Sequence, residues 1–348
     1  MEKPLSLYQQ KLTVVTGVKL AIVIHAEEEF DWSSGFYRSN NQVTHTDALI
    51  QFIDDILKLG GKITLAMGYP FVTSAGGKRV VEYCKHTARN EVEFAAHLHP
   101  WVCPPFDDDS DEVAEKFSYP GNLPKDLEYR KLKVLTAAIE HITGSRPKTY
   151  VAGRYGSGIN THNILKKLGY TLDLSINAYC DYTHQYGPDF SHYSNMPFCV
   201  NGIMYLPHTN SILSISPVIT RILNKRPELY NQIQSHFLTR MLGKLLRIKC
   251  HRLTPEGFTL EQMKQVTEAQ LDIDQKEFVV SFHSPSSMVK LTPYVRNRND
   301  LIALKNNIHQ YICWFKGLES AQLVKAQDFV ATGESSNHKI GRSNNELF

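Results

Sequence analysis

Short runs of apolar and β-branched residues recur along the chain and are separated by polar stretches. Such runs, about four to eight residues long and bounded by turn-forming residues, are typical of buried β-strands. Seven segments have this form: residues 20–26, 62–67, 91–96, 149–152, 171–175, 203–207 and 278–282. We therefore predict seven strands.

Five further segments place apolar residues three and four positions apart, which is the spacing of one face of an α-helix. They are residues 46–59, 125–142, 162–168, 232–247 and 301–314. Gly60-Gly61 and Gly169 directly follow two of them, as expected at helix C-termini. Because strands and helices alternate, the pattern indicates a parallel sheet covered by helices.

The length and composition fit a single folded domain. The chain has 348 residues, of which 42% are hydrophobic and 21% are charged. An α/β barrel often reaches this length around one core. We predict a barrel domain over residues 18–332, an N-terminal extension over 1–17 and a disordered tail over 333–348, where the sequence is polar and lacks periodicity.

Charge and cysteine content exclude some classes of protein. The formal net charge is only +3 and no Lys/Arg-rich arm is present, so we expect no binding to nucleic acid. The six cysteines form no Cys-x-x-Cys pair, which is typical of a reducing compartment. The apolar stretch 12–26 is interrupted by Lys19 and runs into three glutamates, unlike a signal peptide or a membrane span. We therefore predict a cytoplasmic location.

One segment, residues 221–252, is strongly basic. Its single acid, Glu228, stands against eight cations: Arg221, Lys225, Arg226, Arg240, Lys244, Arg247, Lys249 and Arg252. The plain interpretation is that residues 232–247 form a helix whose apolar face covers the barrel and whose cationic side is solvated. The alternative is an anionic partner, either a phosphate-bearing sugar or the headgroups of an inner membrane surface.

Polar residues with catalytic or ligating chemistry cluster at the ends of the predicted strands. They are His25 at the end of the first strand with Glu27, Glu29 and Asp31 after it, His97 and His99 after the third, Arg154 after the fourth, Asp173 in the fifth and His283 after the seventh. Taken singly, most of them are explained as ordinary loop residues or surface partners, whereas Asp173 is harder to dismiss because a carboxylate in a buried strand needs a partner. Because the C-terminal ends of barrel strands converge on one face, we expect these side chains to meet there.

Six segments together resemble the WalW-type branch of the polysaccharide deacetylases, the NodB-like carbohydrate esterase family 4. They are residues 24–32 (IHAEEEFDW), 96–101 (AHLHPW), 120–124 (PGNLP), 152–158 (AGRYGSG), 187–190 (GPDF) and 282–286 (FHSPS). They span nearly the whole predicted domain, and their combination in this order is more specific than any one of them.

The resemblance implies a deformed (β/α)7 barrel that binds a divalent metal, usually zinc. It also implies a hydrolase of carbon–nitrogen bonds other than peptide bonds, which removes an N-acetyl group, or alternatively an O-acetyl group, from a sugar or glycan. By position, His97 is a metal ligand, Arg154 orients the base, Asp173 tunes the acid and His283 is that acid.

The sequence departs from the family at three positions. His25 stands where the family has its catalytic aspartate, Ala26 at the neighbouring ligand position and Trp101 at the second histidine of the metal pair. We predict that His99 and one carboxylate, Glu27 in preference to Glu29 or Asp31, complete the metal site, and that His25 is the base. Two alternatives stay open: a catalytically altered carbohydrate-binding protein, and a metal phosphoesterase acting on a phosphorylated glycan.

Overall fold

A curled sheet of mainly parallel strands lies at the centre of the computed structural model, which describes residues 17–333. The strands are β1 (Lys19–Ala26), β2 (Phe36–Tyr37), β3 (Ile63–Met67), β4 (Val92–Leu98), β5 (Glu112–Val113), β6 (Thr149–Ala152), β7 (Leu172–Asp173), β8 (Phe198–Val200), β9 (Ile203–Tyr205), β10 (Asn210–Leu213), β11 (Lys249–Arg252), β12 (Glu277–His283) and β13 (Gln322–Val324). The helices are α1 (Thr46–Lys58), α2 (Tyr69–Thr73), α3 (Ala75–Thr87), α4 (Lys125–Thr143), α5 (Thr161–Leu168), α6 (Pro217–Lys225), α7 (Pro227–Ser235), α8 (Phe237–Leu245), α9 (Leu260–Leu271), α10 (Arg298–Lys316) and α11 (Asp328–Gly333).

The strands of the main sheet follow the order β12-β1-β3-β4-β6-β7-β9-β8, and β13 pairs with the first half of β1. All neighbours on this path are parallel except β8 and β9, which are antiparallel. The seven predicted strands are all present, as β1, β3, β4, β6, β7, β9 and β12. The curled α/β sheet agrees with the predicted barrel class, whereas the exact count of seven strand–helix units is not confirmed, because β8 and β13 join the sheet as well.

Hydrogen bonds bring the segment after β9 against β12. The backbone N–H of Thr209 donates to the carbonyl oxygen of Val279 at 3.4 Å, and the Thr209 hydroxyl accepts from the N–H of Val279 at 2.9 Å. Because β12 lies at the opposite end of the strand path, these bonds curl the sheet towards a barrel.

The two faces of the sheet bury different residues. Alternate positions such as Ala21, Val23, Ala95 and Val279 form a narrow inner core, and the intervening positions pack against the helices in a larger outer core. Strands buried on both faces read as continuous apolar runs, which is why their sequences show little polar alternation. The inner positions nearest the strand ends are therefore the ones that can reach a common site.

The predicted helix over residues 232–247 is wrong. Helix α7 ends at Ser235, and α8 begins at Phe237 after His236, whose backbone is extended with φ −111° and ψ 140°. The apolar face of α8 does not cover the barrel, since Phe237 and Leu238 are 65% and 78% exposed. The helix packs on α7 through Gly243, which faces Ile233, so its other side is left in solvent.

The ends of the chain lie largely outside this description. The predicted extension (1–17) and tail (333–348) fall, apart from their boundary residues 17 and 333, on residues that the structure does not describe. Within residues 17–333, no helix combines the length and the apolar character needed to cross a membrane.

The outer core supplies a test of the packing. Phe52 of α1 is fully buried with its ring centroid 5.1 Å from that of Phe282 in β12. Removing the ring leaves a cavity, so Phe52→Ala should lower the free energy of unfolding by about 3–5 kcal/mol in urea denaturation. Ile302→Ala, at a position 48% exposed on α10, should change it by less than about 0.5 kcal/mol. A small effect of Phe52→Ala would contradict the helix–sheet packing.

Candidate active site

Four histidines from four parts of the sheet lie together at the C-terminal end of the inner core. His25, His97 and His283 continue the inward-facing positions of β1, β4 and β12, and His208 follows β9. The ring centroid of His25 lies 4.7 Å from that of His97, 5.3 Å from that of His283 and 5.6 Å from that of His208. Sequence reasoning missed His208, although it follows a predicted strand just as the other three do.

We call these four histidines the histidine layer. The Glu27 carboxylate lies against two of them, His25 and His97, and against His99, and we call these four residues the cluster. Nε2 of His97 lies 3.2 Å, and Nε2 of His99 3.6 Å, from Oε2 of Glu27. One ligand atom each from His25, Glu27 and His97 lies within 4.8 Å of the others, which is close enough for all three to hold one metal ion. The four residues are buried, with exposures of 2–6%.

The hydrogen bonds around the cluster fix which nitrogens face Glu27. Nδ1 of His97 lies 3.0 Å from the carbonyl oxygen of Val151, and a carbonyl can only accept, so Nδ1 carries the proton. Nδ1 of His99 likewise lies 2.6 Å from Oε1 of Glu28. Because the lowered pKa of His97 keeps its imidazole neutral, its Nε2 presents a lone pair towards the Glu27 oxygen, and Nε2 of His99 is the nitrogen of that ring that faces the same oxygen.

This arrangement fits a bound cation. Oε2 of Glu27 and Nε2 of His25 are buried and have no hydrogen-bond partner among the described residues. Unpaired acceptors facing one another in a buried site repel unless a proton or a cation lies between them. Two or three imidazoles and one carboxylate are a typical ligand set for zinc.

The protonation of the histidines is compatible with ligation. Burial lowers the pKa of His97 to about 4 and that of His208 to about 3. Burial and the neighbouring histidines also hold the pKa of His25 well below its usual value. Burial raises the pKa of Glu27 to about 7, although nearby His283 and His99 oppose the shift. Neutral imidazoles are the form that binds a metal.

Of the three carboxylates considered after β1, only Glu27 faces the cluster. Its backbone N–H donates to Oγ of Ser284 at 3.2 Å, which ties the end of β1 to the segment after β12. Glu29 turns away to accept from Thr44 and His45. Asp31 is exposed and accepts from Ser33.

His283 is the one histidine of the layer that combines partial exposure with a carboxylate partner. Its Nδ1–H donates to Oε2 of Glu256 at 2.7 Å, and its backbone N–H donates to Oε1 of the same side chain at 3.1 Å. Burial disfavours the charged imidazole, but Glu256 and Glu27 more than offset it and raise the pKa of His283 to about 9. The side chain is 20% exposed, so a charged proton donor reaches the surface here.

The guanidinium of Arg154 contacts residues outside the histidine layer. Its guanidinium donates to the hydroxyl of Ser118 and to Gln185, and it stacks 4.1 Å from the ring centroid of Tyr119. The neighbouring Tyr155 reaches the histidines instead, with its ring centroid 5.1 Å from that of His208. The prediction that Arg154 orients a base in the cluster has no contact to support it.

Asp173 lies on the other face of the sheet from the histidines. Its neighbours, Leu172 in β7 and Leu174 directly after the strand, belong to the inner core, so Asp173 points towards the helices. Burial raises the pKa of Asp173 to about 6, while Ser175 donates a hydrogen bond to it. The expected convergence of Asp173 with His283 is therefore not observed, because the strand alternation sends the two side chains to opposite faces.

Two aromatic side chains stand at the exposed edge of the site. Trp32 is 43% exposed, and its ring centroid lies 5.6 Å from that of His283. The ring of Tyr294 is parallel to that of His283, with the centroids 6.4 Å apart. Inside this edge, a small cavity is lined by His208, His283, Glu256 and Arg252, among others. No motif in the sequence marked Glu256 or Arg252 as site residues.

Comparisons with known proteins identify the fold. No family model and no curated protein match the sequence. A crystal structure named as a polysaccharide deacetylase from Mycobacterium smegmatis is similar over 96% of this chain and 97% of its own, with a TM-score of 0.51 and 13% identity. A second, so named from Pseudomonas aeruginosa PAO1, is similar over 92% of this chain and 91% of its own, with a TM-score of 0.50 and 12% identity. The chain thus has the fold of these proteins.

Metal binding tests the cluster. Glu27→Gln removes the charge that faces the two imidazoles, so it should weaken Zn²⁺ binding by more than the roughly 10–100-fold that loss of an outer partner of a metal ligand costs. Calorimetric titration of the metal-stripped protein measures this directly. Asp31→Asn is the control, because Asp31 is exposed and faces away. Equal zinc affinity in all three proteins would remove Glu27 from the ligand set.

Two buried carboxyl groups, Glu128 and Asp173, predict how the stability of the fold depends on pH. Burial raises the pKa of Glu128 from 4.5 to about 7, and nearby Asp173 adds to the shift, so the folded state keeps the Glu128 proton between these values while the unfolded state loses it. This contribution to stability is full below about pH 4.5 and falls by up to about 3 kcal/mol as the pH rises through 7. Glu128→Gln should therefore reduce the stability difference between pH 5 and pH 8 in urea denaturation.

The control for this pH test is Glu140→Gln on the same helix, where the side chain is 46% exposed. It should leave the pH dependence of stability as in the wild type. An unchanged pH dependence in Glu128→Gln would show that Glu128 ionises in the folded protein as freely as in the unfolded one.

Proposed function

We propose that this chain is a metal-dependent deacetylase that hydrolyses an N-acetyl group on an amino-sugar-containing substrate. The observation that carries the proposal is the approach of Glu27 Oε2 to Nε2 of His97 and Nε2 of His99, next to His283, whose Nδ1 contacts Glu256. The fold shared with structures named as polysaccharide deacetylases supports it.

Glu27, His97 and His99 would hold the metal, with His25 as a further ligand or as the base. When bound, a divalent cation such as zinc polarises a carbonyl oxygen and lowers the pKa of water to the neutral range. Glu28 and the carbonyl of Val151 orient the two imidazoles by accepting from their Nδ1–H groups. These outer contacts keep the ligating nitrogens turned inwards before any metal arrives.

His283 is suited to protonate the leaving group. An amine leaves as a neutral molecule only if its nitrogen receives a proton, so an amide needs a proton donor more than an ester does. Glu256 accepts from Nδ1–H and leaves Nε2–H as the donor. This pairing favours an N-acetyl group over an O-acetyl group and a carbon–nitrogen bond as the one that breaks.

His25 is neutral and buried between the candidate ligands and His283. An imidazole in this position can accept a proton from water, which is the role that the family gives to an aspartate. Unlike an aspartate, a neutral imidazole adds no negative charge beside a cation. We propose His25 as the base, with ligation as the alternative that the distance to Glu27 also permits.

The substrate would enter past Trp32 and Tyr294. Both rings stand beside His283, the only member of the histidine layer in the described chain that is not fully buried. Aromatic side chains offer an apolar face against which a sugar ring packs while its hydroxyls stay hydrated. An acetylated sugar or glycan is therefore the substrate class that we propose.

A second candidate is a carbohydrate-binding protein that has lost catalysis. Its support is that His25, His97, His99 and His208 are at most 6% exposed, so a substrate carbonyl reaches them only if the surface opens. The phosphoesterase alternative has less support, because Arg252 is the one cation of the basic segment that lines the cavity.

Acetate release tests the proposal. Zinc-loaded wild-type protein should release acetate from N-acetylated amino-sugar oligomers, and His283→Ala should lower turnover by roughly a hundredfold or more, since it removes the general acid. His86→Ala, an exposed histidine on α3, is the control and should retain full turnover. Equal turnover in His283→Ala would exclude His283 as the acid. A wild type that binds zinc and sugar without releasing acetate would favour the binding protein.

A further inference from the structure

The region formed by α6, α7 and α8 exposes an unusual number of large apolar side chains. We call this the α6–α8 surface, and its residues, each 46–78% exposed, are Ile215, Val218, Ile222, Phe237, Leu238, Met241, Leu242 and Leu245. Single exposed apolar residues are ordinary, but a group of this size marks an interaction site.

The apolar residues of α8 point directly away from the protein. At about 100° per residue, Phe237, Leu238, Met241, Leu242 and Leu245 cover an arc of about 140° on the helix. Gly243, the buried residue of α8, lies almost opposite the middle of this arc and faces Ile233 of α7. The helix is thus attached by its small residue and presents its apolar face outwards.

The start of α6 continues the same surface. The N–H of Ile215 donates to the carbonyl oxygen of Leu246 at 3.1 Å, and the hydroxyl of Ser214 donates to the same atom at 3.0 Å. These bonds place Ile215 beside the end of α8, where Leu245 is exposed. Val218 and Ile222 extend the apolar strip along α6.

Exposed cations accompany this strip. Of the eight cations in the basic segment, Arg252 lines the cavity by the histidines and Arg221 pairs with Asp272. The other six form no ion pair within the described residues: Lys225, Arg226, Arg240, Lys244, Arg247 and Lys249. Arg240 and Lys244 lie on one side of the apolar arc of α8.

We propose that the α6–α8 surface binds an anionic lipid bilayer, with α8 lying in the plane of the interface. The apolar side chains would enter the boundary between headgroups and acyl chains, and the cations would contact lipid phosphates and carboxylates. A small phosphorylated sugar would engage the cations but leave the apolar arc in water. A second copy of this chain would cover the apolar arc but bring the two sets of cations together.

Vesicle co-sedimentation of the full chain tests the proposal. The protein should pellet with vesicles of phosphatidylcholine containing about 30% phosphatidylserine, bind much more weakly to phosphatidylcholine alone and detach as salt is raised. Leu238→Gln/Leu245→Gln should weaken binding by about tenfold or more, because two apolar anchors are lost. Lys244→Glu should weaken it by at least about fivefold. Ile302→Gln, an exposed apolar position on α10, is the matched control and should bind as the wild type does.

A reporter on α8 gives an independent reading. Phe237→Trp should show a blue shift of its added fluorescence with anionic vesicles, since the side chain moves from water into the interface. No binding at low salt, or equal binding by wild type and the Leu238/Leu245 double variant, would overturn the proposal. So would a dimer in sedimentation velocity that the double variant converts to a monomer, because a second copy would then cover this surface.

Discussion

The candidate site depends on the two-residue alternation of the parallel strands. Each strand sends one set of side chains into the narrow interior and the other towards the helices. The interior is lined by small residues such as Ala21, Ala66 and Ala95, which leave room for the sheet to curl tightly. In β1, β4 and β12 the inward position nearest the C-terminal end is a histidine, and His208 follows β9. The imidazoles of His97, His208 and His283, from distant parts of the sequence, therefore have their ring centroids 4.7, 5.6 and 5.3 Å from that of His25.

The same alternation makes the surrounding hydrogen bonds necessary. Buried imidazoles and carboxylates are costly unless each polar atom has a partner. Val151, Glu28, Ser281 and Glu256 each satisfy one nitrogen of a different histidine. After this pairing, the remaining acceptors face one another around Glu27. The unpaired atoms around Glu27 lie where a cation would bind, and within the described residues Nε2 of His208 is a further nitrogen of the layer without a hydrogen-bond partner.

Sequence reasoning found the seven strands because buried strands carry an apolar signal that depends only on local composition. It also found His25, His97 and His283, because a polar residue at the end of a strand is a local feature.

Sequence reasoning could not find which face Asp173 occupies, because a two-residue strand does not reveal its register without its neighbours. Glu256 follows β11 (Lys249–Arg252), a strand that the apolar pattern did not predict, so only the folded chain reveals its contact with His283. The break at His236 was missed because the apolar spacing continues across it, and helix period alone does not show where a chain turns.

The geometry also bears on the altered motif at the end of β1. Ala26, which the resemblance places at a ligand position, packs in the outer core, so a carboxylate there would point away from the histidines. Glu27 follows it and reaches the cluster instead. His97 in β4 and His99 just after the strand lie two residues apart and face the same side, whereas Trp101 stacks on His99 with the ring centroids 4.2 Å apart. The carboxylate and the second imidazole thus stand at other positions than the resemblance implies, yet both lie beside His97. Two independent losses would leave a gap at this point, and the structure has a matched set of acceptors there. The described residues therefore retain a His/Glu cluster that could hold a metal ion at this point.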